Sequence, residues 1–223
     1  GGTIILNATT VSSAETTLIH AKDNVEINGV TTHTTTIEQM EVYKNSTWKP
    51  LGPVDVTQQD LVTPSEVTGK NVHIVSDENN VTLDHAHVAA NDDVHLDAKE
   101  DWNKIDSVMT GKNSYTHAGN NVNEIGSYTA AKNYLETTAG NAINLDCKID
   151  NSNYIPTINL GGDGNGQTYK DKDGKQHKVG AHYKAKKINI NGAINASTAE
   201  NVILGEEGVS ITATHHENIA YQK

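Results

Sequence analysis

Eleven histidines among 223 residues are the first candidates for chemistry, because neutral imidazole binds transition metals and titrates near neutral pH. Two of them occupy the middle of matching triplets, Val72-His73-Ile74 and Val94-His95-Leu96. If the flanking apolar residues point into a core, His73 and His95 both point outward, one repeat apart. His85-Ala86-His87 and His215-His216 could add ligands, yet no third histidine or carboxylate stands at a fixed metal-like spacing. Solvated surface histidines are the favoured reading of the pattern, so no metal and no cofactor is assigned. The run Gly162-Asp163-Gly164-Asn165-Gly166 lacks the helix and Lys-Ser/Thr of a phosphate loop. Together with Asp171-Lys172-Asp173-Gly174 it looks like fragments of calcium loops, but without a closing Glu or a repeated nonapeptide.

Catalysis finds little support. The chain has no arginine, so bidentate recognition of phosphate or carboxylate by a guanidinium is excluded. Its acids fall at expected turns, such as Asp23, Asp93, Glu206 and Glu207, or singly on outward strand positions such as Glu26. A glycosidase needs two carboxylates about 5 to 9.5 Å apart across a cleft, and no such pair is marked. No G-x-S-x-G nucleophile elbow is present. The net charge of −11 argues against a nucleic-acid partner. Against that acidic background, 161–187 carries 7 of the 17 lysines and 3 Asp, a local charge of 7 − 3 = +4. Aromatics gather in or beside such irregular stretches and could meet a membrane interface or a protein partner. The candidate contact residues are Trp48, Trp102, Tyr169, Lys170, Lys172, Lys175, Lys178 and Tyr183.

The elements that position these groups follow from a recurring phrase of apolar, any, apolar, usually preceded by Asn, Asp or Gly. It recurs from Ile4-Ile5-Leu6 through Val81-Thr82-Leu83 and Ile143-Asn144-Leu145 to Val209-Ser210-Ile211, each a short strand with alternate residues inward. Ile4 and Val25, Val72 and Val94, and Ile188 and Val209 are 21, 22 and 21 positions apart, a solenoid period. Thr and Asn number 25 each while Phe is absent, which suits a narrow interior of small aliphatic residues. Asn, Asp and Gly between the strands are expected to take the left-handed backbone of tight corners.

The spacing predicts an all-β, right-handed parallel β-helix with rungs of about 21 residues, roughly five to eight in number. Polar stretches after the strands, at Thr31-Thr32-His33 and at Glu100-Asp101-Trp102, are expected to protrude as hairpins or loops. The alternative is an antiparallel β-sandwich. Residues 33–68, with Pro50, Pro53 and Pro64, form one excursion, and 161–187 form a Gly-rich base with a lysine-rich hairpin. Tyr128 to Thr138 is the only stretch with any helical pattern. No run approaches a membrane-spanning length, the single Cys147 forbids an internal disulfide, and the chain is expected to be a fragment of something much larger.

The phrases Asn80-Val81-Thr82-Leu83, Asn91-Asp92-Asp93-Val94-His95-Leu96-Asp97-Ala98 and Gly208-Val209-Ser210-Ile211-Thr212-Ala213-Thr214-His215-His216-Glu217 resemble the haemagglutinin repeats of filamentous haemagglutinin-type two-partner secretion exoproteins. The second repeat region of contact-dependent growth inhibition exoproteins is the most similar. The resemblance spans most of the chain outside 33–68 and 161–187. It implies a secreted protein of the bacterial cell surface, exported unfolded through an outer-membrane transporter. A stalk or translocation role in toxin delivery is implied with it, with a target-cell outer membrane or surface receptor as partner. An adhesin shaft, a glycan-binding surface and a tailspike-like carbohydrate-active β-helix are the alternatives. An isolated fragment is expected to stack end to end through its open strand edges.

Overall fold

The computed structural model describes residues 2–44, 47–146, 157–159, 168–170, 176–178, 180–191, 193–195 and 200–212, and among these there is no helix. Parallel strands stack as a β-solenoid of about seven turns. Three ladders run along it. The first joins Ile4–Asn7, Val25–Asn28, Val81–Asp84, Trp102–Ile105, Asn121–Ile125 and Ala142–Asp146, then the distal parts of Gly180–Asn191 and Glu200–Thr212. The second joins Thr10–Ser12, Ser65–Gly69 and Ala86–Ala90 to the first halves of Val108–Ala118 and Tyr128–Ala139. The third joins Thr16–Ala21, Asn71–Ser76 and Asp93–Ala98 to the second halves of those two long strands and the starts of the last two.

The three pairs that set the period are register partners: Ile4 opposite Val25, Val72 opposite Val94, Ile188 opposite Val209. Alternation does the rest. Val25, Ile27, Val72, Ile74, Val81, Leu83, Ile143 and Ile188 are fully buried, as a strand with one face inward requires. The stretch Tyr128–Ala139, weakly helical in pattern, is a strand, because pairing on both sides overrides its local propensity.

Two features differ from expectation at the corners. After the first ladder the left-handed position is held by Ala8, His85, Asp106 and Gly126 in different turns, with φ of 44°, 52°, 45° and 58°. The asparagines serve elsewhere. Asn123 donates to Asn103, Asn144 to Asn123 and Asn189 to Asn144 across 2.8 to 2.9 Å, an amide ladder on the outer face of the first sheet. A second column at the strand starts links Asn24, Asn80, Asp101 and Asn121 through side-chain oxygens that accept the backbone N–H one turn on. The Asn-rich composition therefore reflects stacking more than turning.

Among the described residues two hairpins leave the stack. Val30–Lys44 and Thr47–Thr63 form an antiparallel ribbon, about 50 Å long at the usual strand rise, that pairs with no solenoid strand. Thr168–Lys170 and Gln176–Lys178 form a short antiparallel hairpin flanking the expected Asp171-Lys172-Asp173-Gly174 turn, which lies outside the described residues. Gly180–Asn191 belongs to the solenoid itself, so the basic excursion ends sooner than its lysines suggest. Likewise 100–105 does not protrude: Trp102–Ile105 is a rung strand.

Candidate functional site

The outer face of the third sheet carries the densest set of chemically capable side chains. His73 and His95 are register partners, and their ring centres stand 4.8 Å apart. Tyr115 follows one turn on, stacked on His95 at 4.6 Å and an interplanar angle of 14°. The next position in register is Glu136, but the Tyr134 ring continues the ladder, 5.8 Å from Tyr115 and 5.2 Å from His182. Its hydroxyl donates to Glu136 at 2.6 Å, and burial plus that carboxylate push the phenol well above its ordinary range. Strand stacking at about 4.8 Å brings flat rings into van der Waals register without further design.

Beside this ladder runs a polar column. His20 meets Asp77 at 2.8 Å, and His117 shares a 2.8 Å hydrogen bond with the Thr138 hydroxyl. Asp77, Asp97, Lys99 and His117 line an open hollow there. At the corner after the first ladder, His85 holds Asp84 at 2.6 Å and approaches Asp106 to 3.6 Å. His87 stands exposed on the second sheet, in register with Glu66 and Val108. The four candidate histidines therefore divide: His73 and His95 come together, while His85 and His87 lie on a corner and on another face. Among the described residues no group of three or more His, Cys, Asp or Glu side chains converges on a metal position.

The proposed contact residues divide as well. Trp102 and Tyr183 are not on the surface: both are buried in the core, Trp102 in register between Val81 and Val122. Trp102 opens a rung strand and Tyr183 lies near the start of another, each close behind a polar stretch, and that neighbourhood gives them the look of excursion residues. Trp48 lies on the long ribbon opposite Tyr43, and Tyr169, Lys170 and Lys178 on the strands of the short hairpin. Lys172 and Lys175 fall outside the described residues.

The interior holds one group that the sequence pattern did not single out. Lys104 is fully buried and its Nζ lies 2.8 Å from the nearly buried Glu124 carboxylate, its register partner. The Thr129 hydroxyl donates to the same carboxylate at 3.1 Å. Burial holds the Lys104 amine below its ordinary range, opposed by the attraction of Glu124. Burial, reinforced by Glu124, raises the Tyr183 phenol well above its own.

These features define a parallel β-solenoid with a laddered outer surface, a charged pair in its core and two projecting hairpins. No family model, curated protein or solved structure matches the chain.

Proposed function

We propose that the chain is a non-catalytic repeat segment of a secreted bacterial surface exoprotein, a stalk or translocation element in contact-dependent delivery of a toxin to neighbouring bacteria. The observation that carries this reading is the architecture of about seven stacked turns with hairpins leaving at two of them. In such a stack each turn is a template for the next, so the rod assembles by nearest-neighbour contacts alone. That property suits a chain exported unfolded through an outer-membrane transporter. The hairpins supply the partner surface, with Trp48 on one and Tyr169, Lys170 and Lys178 on the other. The lysines of the short hairpin stand against a chain of net charge −11 and favour an anionic surface such as a target-cell outer membrane.

Protease protection after incubation with outer-membrane vesicles tests the proposal. The variant to compare has 160–178 replaced by a flexible Gly-Ser linker between the strands Thr157–Asn159 and Gly180–Asn191. Protection that depends on those residues supports a membrane-engaging delivery segment. Equal digestion of both proteins, with and without vesicles, would reduce the role to a shaft or adhesin stalk.

A further inference from the structure

We propose that His73 and His95 together form a bidentate surface site for a borderline divalent cation, holding Cu2+ most tightly and Zn2+ and Ni2+ less so. The backbones beneath them are fixed, because Val72, Ile74, Val94 and Leu96 are in the buried core and pair across adjacent rungs. The two imidazoles are therefore held side by side rather than meeting by chance. Two imidazoles sharing one metal at an M–N distance of about 2.0 Å have ring centres about 4.5 Å apart at a 90° angle and about 5.1 Å apart at the tetrahedral angle. The observed 4.8 Å lies between these limits. Rotation about each Cβ–Cγ bond turns a ring nitrogen toward the shared position and leaves the centres almost unmoved, since that axis passes close to the ring centre.

The surroundings favour a cation. Asp93 and Asp97 flank His95 two residues to either side on the same outward face. Imidazole nitrogen selects copper, nickel and zinc over calcium and magnesium, which take oxygen ligands. With two protein ligands and no third among the described residues, water completes the coordination and the ion exchanges freely. The assignment is independent of any role in toxin delivery.

Titration of the full chain with Cu2+ and with Zn2+, followed by calorimetry and by the histidine ring resonances, tests it. One equivalent should bind, with two ring systems shifted together by Zn2+. His73→Asn and His95→Asn should each weaken that binding by at least about tenfold, whereas His87→Asn leaves it unchanged. Both substituted positions face outward, so an unaltered circular dichroism spectrum separates lost ligation from lost fold. Binding of equal strength in His73→Asn would assign the metal to other histidines, such as His215 and His216, and overturn the proposal. No saturable binding up to about 1 mM metal would overturn it as well.

Discussion

Lys104 and Glu124 hold the most consequential charges in the molecule because neither has water to fall back on. Removing one partner strands the other in the core, which typically costs about 3 to 5 kcal/mol. Lys104→Met and Glu124→Leu should each lower the unfolding free energy by that much, read from chemical denaturation. The double variant should recover most of the loss or exceed the parent, because a buried pair repays its own desolvation poorly. A double variant as weak as either single one would show that the pair specifies the core. Tyr134 and Tyr183 give a second residue-scale expectation. Both phenols are raised above 10.0 in the folded chain, so above that pH the unfolded state loses protons that the native state keeps. Their stabilisation is complete below about pH 10 and declines as the pH rises beyond it. Thermal melts between pH 9 and 11 should show the decline, with a smaller slope in Tyr183→Phe. The charged pair was legible in principle: Trp102-Asn103-Lys104-Ile105 aligns with Val122-Asn123-Glu124-Ile125 at a spacing of 20, with Lys104 and Glu124 on the inward parity. What hides it is the ordinary expectation that Lys and Glu face water.

At the scale of strands and corners, the side-chain ladders are the recurrent device. Asn123 both donates to Asn103 and accepts from Asn144, whereas Asn189 donates to Asn144 at the far end. Asn123→Ala removes two hydrogen bonds and should cost about 1 to 2 kcal/mol, more than Asn189→Ala, as read by chemical denaturation. Glycine matters at the exit from the third sheet. A Cβ on Gly140 would collide with the carbonyl oxygen of Gly119 in the turn below, which is backbone and has no room to retreat. Gly140→Ala should therefore destabilise the fold by more than the roughly 0.4 to 1 kcal/mol by which the same substitution stabilises sites that can take a Cβ, as read by chemical denaturation. Much of this scale was legible. The apolar triplets gave strand positions and the three spacing pairs gave register, because inward burial repeats at every turn. The corner chemistry was not, since Asn and Asp serve both turning and stacking and only the three-dimensional register separates these uses. Residues 100–105 are ambiguous in sequence for a related reason: charge before a strand start looks the same whether the chain protrudes or merely rounds a corner.

Across the whole molecule, the ribbon behaves as a cassette set into one corner. Val25 and Val81 are register partners 56 positions apart, whereas Val81 and Trp102 are 21 apart. Removing 30–64 deletes 35 residues, and 56 − 35 restores 21. The resulting junction, Asn28-Gly29-Ser65, has the pattern of Ile125-Gly126-Ser127, where glycine takes the left-handed corner and the serine hydroxyl donates to the carbonyl two residues back. Ser65 already meets that demand, donating to Asn28 at 2.6 Å and accepting from the Thr9 N–H. Excision should consequently leave the far-ultraviolet spectrum of a parallel sheet and a melting temperature within a few degrees of the parent, because stability in a solenoid resides in neighbouring turns. A long two-stranded ribbon adds little of its own, being marginal without a third strand or a partner. Loss of cooperative melting on excision would mean that the ribbon buries part of the rod. Deleting Val81–Asp101, one complete turn, gives the complementary test, since Val25 then faces Trp102 in the register that Val81 held. That protein should fold with a modest drop in stability, and deletion of only 10 residues from the same turn should abolish folding by placing apolar side chains out of register with the turns on either side.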